Sequence, residues 1–217
     1  MKPTSSLPVI GVMLAALAVI AVVSWVTWNW IGGKGTAGSQ NVAMRTEANI
    51  GGPFTLTNHK GDTVTDESFR GKYMLVFFGY GYCPDICPTE LASIAATLDV
   101  MGPQADKVTP LFITIDPERD TPEFLADFVV NFHPRMIGLT GAPEAIGSVA
   151  KSYKVFYAKS RQSAGPDYLM DHSSFIYLMG PDGKFITMFR PQTDPKKMAE
   201  TIGQVISQQA SAGSGTG

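Results

Sequence analysis

Apolar positions along this chain fall into two regimes. From Leu7 to Ile31 they are almost continuous, and no charged side chain occurs between Lys2 and Lys34. Such a run is longer than the roughly 20 residues a spanning helix needs, so residues 1–31 read as a short cytoplasmic end followed by one N-terminal transmembrane helix. Trp25, Trp28 and Trp30 close the run, where indole rings suit the headgroup layer. A cleaved signal peptide is the rival reading; the run is long for one, although Ala37 to Ser39 offer small residues. Lys2 places the N-terminus in the cytoplasm and everything after Lys34 outside. No Arg-rich, Ser-rich presequence precedes the run, which favours a single pass through a bacterial inner membrane with the remainder periplasmic.

Residues 32–50 turn to Gly, Ser, Thr, Ala and Asn and read as a flexible linker. Residues 51–208 then carry short periodic segments. Phe54–Thr57 and Thr63–Thr65 form a hairpin around a polar turn. Tyr73–Phe78 is continuously apolar, as a central strand buried on both faces requires. Leu91, Ile94, Ala95 and Leu98 recur at helical spacing until Gly102-Pro103. A strand over Leu111–Ile115 follows, then a helix from Pro122 capped by Thr121. A short strand at Ile137–Leu139 precedes a helix from Pro143 to about Tyr153. Phe175–Met179 and Lys184–Phe189 pair through the turn Pro181-Asp182-Gly183, and a helix from Pro195 to about Gln208 ends the domain. Residues 209–217 read as a disordered tail. The order is that of an α/β, thioredoxin-like fold, a central mixed sheet flanked by helices, with extra pieces inserted.

Charge adds an exclusion. With 17 basic and 19 acidic side chains and a net charge of −2, nothing points to a polyanionic partner, so no nucleic acid is expected. The 2 cysteines stand four positions apart and cannot close a long loop, so they read as a site.

That site lies in FFGYGYCPDICPTEL. Cys83 falls in the loop after the central strand and Cys87 at the start of the next helix, whose N-terminal partial charge stabilises thiolates. Two neighbouring thiolates select Cu(I), Zn or a disulfide. Of 3 histidines, His59 sits in the hairpin turn and His133 before Pro134, both surface positions. His172 precedes the strand at Phe175, and in a thioredoxin-like fold that loop faces the cysteine loop. Two sulfurs and one imidazole suit copper, whereas structural zinc takes a fourth protein ligand. Asp85, Asp116 and Asp171 lie near without being ligands. Asp85 reads as an outer-shell acceptor or a helix-start residue, Asp171 as a support for His172 or a turn residue, and Asp116 as a strand end. Tyr153, Phe156 and Tyr157 read as core packing.

Three separated stretches, CPDICP from Cys83, IDPERDTPE from Ile115 and DHSSFIYLMGPDGK from Asp171, together resemble the Sco/SenC/PrrC family over about Gly51 to Ile206. The resemblance implies a thioredoxin-like metallochaperone that assembles the binuclear copper centre of cytochrome c oxidase subunit II. Its copper ligands would be Cys83, Cys87 and His172, holding one copper ion, Cu(I) or Cu(II), per chain. Its partners would be that subunit, a periplasmic thiol reductant and another copper donor. Gly81-Tyr82 departs from the family, where a Thr-His pair or similar is common. Other functions share the fold. A thiol-disulfide oxidoreductase is disfavoured by the C-x3-C spacing, by the lack of a proline before Phe175, and because it has no use for His172. A peroxiredoxin-like peroxidase is disfavoured by Tyr80, which stands where that chemistry uses threonine. A redox or copper sensor shares every feature.

Overall fold

The structure is a computed structural model and describes residues 22–26, 50–161, 165 and 167–213. The chain divides into two units, residues 1–46 and 47–217. In the first, residues 22–26 are helical, and the rest of the expected membrane span over Leu7–Ile31 lies outside the described residues. No helix among the described residues is long and apolar enough to cross a membrane. The expected linker over residues 32–50 lies outside them too, Ile50 excepted.

The second unit is built around β3 (Tyr73–Gly79), every residue of which is buried. A strand with apolar side chains on both faces needs cover on both, and each large side chain removed from water contributes about 1.5–3 kcal/mol. Parallel to β3 runs β4 (Val108–Thr114), and parallel to that β5 (Ile137–Thr140). On its other edge β3 pairs antiparallel with β8 (Ile176–Met179), which pairs with β9 (Phe185–Phe189). The early hairpin, β1 (Thr55–Asn58) and β2 (Thr63–Thr65), joins through β5. The result is a mixed seven-stranded sheet in the order β2-β1-β5-β4-β3-β8-β9. Strand β4 begins three residues before the expected Leu111, because Pro110 does not interrupt it. Pairing with β5 starts only at Leu111, so a residue with no N–H lies where the second neighbour is missing.

Among the described residues of this unit, four α-helices pack on the sheet or on one another. α1 (Ile86–Met101) buries Leu91, Ile94 and Leu98 and stops at Gly102, whose φ of 54° is the left-handed value that glycine tolerates. α2 (Pro122–Val129) opens with the Thr121 side chain accepting from the Phe124 N–H, as its sequence predicts, and packs on β5. α3 (Pro143–Ser152) packs on β1, and α4 (Pro195–Gly213) packs on α1 through Met198, Ile202 and Ile206. Residues 209–213, expected in the disordered tail, continue α4, and the Tyr73 hydroxyl donates to Gln209 at 2.6 Å. Gln208, Gln209 and Ala210 are good helix formers, which a reading by Ser and Gly content overlooks.

A further hairpin was not expected from sequence. β6 (Tyr157–Lys159) pairs antiparallel with β7 (Met170–His172), Tyr157 opposite His172. His172 therefore sits at the end of a strand rather than in a loop. The expected aromatic core of Tyr153, Phe156 and Tyr157 divides. Tyr153 is buried and Tyr157 partly so, but Phe156 is 64% exposed. Extended backbone turns neighbouring side chains to opposite faces, so Phe156 and Tyr157 cannot share the core.

Packing at β3 and capping at α2 differ in scale, and chemical denaturation of the soluble part separates them. Leu75→Ala is expected to cost about 2–5 kcal/mol, the range for emptying a buried leucine site. Thr121→Ala is expected to cost about 1 kcal/mol, the value of one N-cap.

Candidate metal centre

The turn after β3 brings the cysteines together. Cys87, in the first turn of α1, is buried with 0% exposure, and its sulfur lies against Gly79 at the end of β3. A Cβ at Gly79 would come within 2.8 Å of that sulfur and 3.0 Å of Phe112, so only glycine leaves the thiol its space. Cys83 is half-buried in the loop, held by its N–H donating to the Tyr80 carbonyl at 3.2 Å. Asp85 occupies the N-cap position of α1, but its side chain makes no cap bond. The Cys83 sulfur takes that part instead, accepting from the Cys87 N–H at 3.4 Å and from the Asp85 N–H. The four-residue spacing thus places one sulfur over the free N–H groups of the helix that carries the other.

His172 completes the group from β7. Its Nε2 lies 3.4 Å from the Cys87 sulfur, and its Nδ1 lies 3.0 Å from the Ser173 carbonyl oxygen. A carbonyl only accepts, so Nδ1–H donates to it, and this bond turns Nε2 toward the sulfurs, the orientation a metal-binding imidazole requires. Phe77 and Tyr80 stand edge-on to the ring with centroids 6.2 and 6.0 Å away. The ligand atoms of Cys83, Cys87 and His172 all lie within 4.8 Å of one another, and among the described residues no other group of acids, histidines and cysteines is placed to hold a metal.

The two thiols differ electrostatically. Cys83 is held well below the ordinary thiol range, first because it accepts the Cys87 S–H bond, then through His172 and the backbone N–H groups, with burial opposing. Cys87 is pushed up, by donating to Cys83 and by burial. The environment therefore favours negative charge on the outer sulfur and a proton on the inner one. Neither cysteine is in a disulfide. Two soft sulfurs and an imidazole suit a thiophilic cation, and the same pair can take part in disulfide exchange.

A family model described as SCO1/SenC matches residues 42–207. The chain belongs to the SCO1/SenC family. A mouse relative, the mitochondrial protein SCO1 homolog, is 43% identical over 164 residues, covering 75% of this chain and 57% of its own length. The chain thus spans under two thirds of that curated relative. The crystal structure of Arabidopsis thaliana ScoI with copper bound superposes with a TM-score of 0.70 at 42% identity, covering 73% of this chain and 99% of that one. BsSco, known for a disulfide switch and as a member of the Sco family of cytochrome c oxidase assembly proteins, has a TM-score of 0.58 at 28% identity, covering 74% and 94%.

Within this SCO1/SenC domain the acids near the site take roles that sequence left open. Asp171 is exposed, and the Ser173 carbonyl rather than Asp171 orients His172. Asp116 is buried and accepts from Arg119 Nε and from the Tyr168 hydroxyl, each at 2.5 Å, so it is a hub of polar contacts and not merely a strand end. Asp85 starts the helix. His59 and His133 each accept a backbone N–H at Nδ1, from Gly138 and Arg135, and their pKa values are lowered, mainly by burial.

Sequence reasoning missed Asp120 and Glu90, both buried with 0% exposure. Asp120 accepts from the Thr114 hydroxyl at 2.6 Å and the Gly81 N–H at 2.9 Å, pinning the cysteine loop to β4. Burial pushes its pKa up to about 6 against those two donors. The acid-rich IDPERDTPE stretch was the available signal. Glu90, one turn after Cys87, accepts from the Gln192 N–H at 2.7 Å, and burial raises its pKa. Nothing in its spacing distinguishes it from a surface glutamate. The Gly81-Tyr82 departure is explained locally: a side chain at 81 would collide with the Phe124 ring, on which Tyr82 stacks at 5.0 Å.

Exposure and charge state both favour attack at Cys83. Treating the reduced, metal-free protein with limiting iodoacetamide at neutral pH is expected to modify Cys83 first, with Cys87 protected until unfolding. Peptide mapping checks this, and equal labelling would contradict the geometry.

Proposed function

We propose that this protein binds one copper ion through Cys83, Cys87 and His172 and delivers it to the binuclear copper site of cytochrome c oxidase subunit II. The observation that carries the reading is the convergence of two sulfurs and an imidazole nitrogen within 4.8 Å. Membership of the SCO1/SenC family, the copper in Arabidopsis ScoI and the place of BsSco among oxidase assembly proteins support it.

The chemistry of the donors fits such a cargo. Two thiolates and a neutral imidazole cancel the charge of Cu(II) and leave a single negative charge around Cu(I), so neither state puts a large net charge at the edge of the core. Binding displaces protons from the sulfurs, and the lowered pKa of Cys83 eases that step at the outer donor. Cys83 and His172 are half-exposed while Cys87 is buried, so an incoming ligand has access to the outer donors while the inner sulfur retains the ion.

The apolar run before Lys34 supports a setting in which a single span anchors the domain on the periplasmic side of a bacterial inner membrane. In that oxidising compartment a thiol reductant must keep the pair open, since a disulfide cannot bind copper, and another copper donor loads it. The lowered pKa of Cys83 also favours a second reading, a thiol-disulfide oxidoreductase acting on the same subunit.

His172 discriminates between the two. The reduced wild type is expected to take up one copper ion per chain, with an intense sulfur-to-Cu(II) charge-transfer band. His172→Ala should lose the Cu(II) site and oxidase assembly under low copper while Cys83 and Cys87 still form and exchange a disulfide. Unchanged copper spectra and unchanged oxidase activity in that variant would transfer the function to the oxidoreductase reading.

A further inference from the structure

The IDPERDTPE stretch supplies no metal ligand, yet its residues 116–120 touch both parts of the chain that do. Asp116 accepts from Arg119 Nε at one oxygen and from the Tyr168 hydroxyl at the other, each at 2.5 Å. The Arg119 guanidinium lies 3.7 Å from the Tyr168 ring centroid and 4.9 Å from that of Tyr82. Those two rings belong to different halves of the site. Tyr168 leads into β7, which ends at His172, and Tyr82 immediately precedes Cys83. The same stretch grips each half once more, with Glu118 paired to Lys159 of β6 at 2.9 Å and Asp120 accepting the Gly81 N–H at 2.9 Å. Its own position is set by the end of β4, because the Thr114 hydroxyl donates to Asp120 and accepts the Asp116 N–H.

The hairpin needs such support. β6 and β7 are three residues each and form a two-stranded sheet apart from the main one. A hairpin of that size is marginal alone, so the place of His172 depends on what ties it down. The Met170 N–H donating to the Tyr80 hydroxyl at 3.2 Å is one tie. The Lys159–Glu118 pair is exposed and therefore weak. The Arg119–Asp116–Tyr168 group is the shielded one, and replacing Arg119 takes from the buried Asp116 carboxylate its cation while removing the Tyr168 hydroxyl takes its second donor.

We propose that residues 116–120 are a bracket, with Arg119 as its positioning residue, that fixes the separation of His172 from Cys83 and Cys87 before an ion arrives. The inference rests on the reading of those three residues as copper ligands, but the bracket has a consequence in the metal-free protein that does not need copper. Amide exchange in residues 157–160 and 170–173 of the reduced, metal-free full chain should be about tenfold faster in Arg119→Ala and in Tyr168→Phe, with β3 and β4 unchanged. Tyr168→Phe keeps the ring and removes only the hydroxyl, so it remains informative if Arg119→Ala folds poorly. Exchange like the wild type in Tyr168→Phe, or acceleration spread equally over β3 and β4, would overturn the bracket. With copper, both variants should bind about 10–100-fold more weakly, the usual loss when an outer support is removed. Their Cu(II) spectra should keep the thiolate band and lose the imidazole nitrogen. An unaltered copper spectrum and affinity would also overturn it. If the wild type itself takes no copper, the proposed function falls, and the hairpin exchange alone decides the bracket.

Discussion

A thiolate at the head of a helix is the interaction on which the remaining structure depends. The Cys83 sulfur accepts the Cys87 N–H at 3.4 Å, where Asp85 makes no cap of its own, so the start of α1 and the state of the cysteine pair are one structural fact. Charge on the outer sulfur satisfies the free N–H groups and the positive end of the helix dipole. Burial and the bond to Cys83 favour the neutral thiol at Cys87, which lies in the core. Gly79 and Tyr80 then have to accommodate a sulfur on one side and an imidazole on the other, with Gly79 leaving the space and Tyr80 the ring wall.

Because the sulfurs are set by a strand and a helix, the variable part of the site is His172. It comes from a hairpin outside the main sheet, and its ring is oriented by the Ser173 carbonyl next to it. A rigid pair of sulfurs with a third donor on a separately held arm suits the proposed binding and release of an ion. Binding gains from the third donor, and release needs only that arm to move. The departure at Gly81-Tyr82 belongs to the same logic, since Phe124 occupies the space of a side chain at 81 and stacks on Tyr82, beside the cysteine loop.

Much of this was legible in the sequence where the signal is local. The apolar run of β3, the Thr121 cap and the turn at Pro181-Asp182-Gly183 appear where the residues predicted them. The meeting of Cys83, Cys87 and His172 was also foreseen, although from the order of elements and a family resemblance, since spacing alone says nothing about a histidine 85 positions beyond Cys87. The β6–β7 hairpin was illegible because three-residue strands carry too few alternations to stand out. Phe156 and Tyr157 looked alike by composition, and only the strand geometry sends one outward. Arg119 and Tyr168 are far apart in sequence and meet only through tertiary packing, and a buried Asp120 reads in one dimension like any surface acid.

X-ray absorption at the copper edge of the loaded, full-length protein tests the central claim most directly, because it counts the neighbours of the ion by element. The account predicts two sulfur scatterers and one imidazole nitrogen around each copper. A first shell of oxygen and nitrogen without sulfur, or one with two sulfurs and no imidazole, would contradict it.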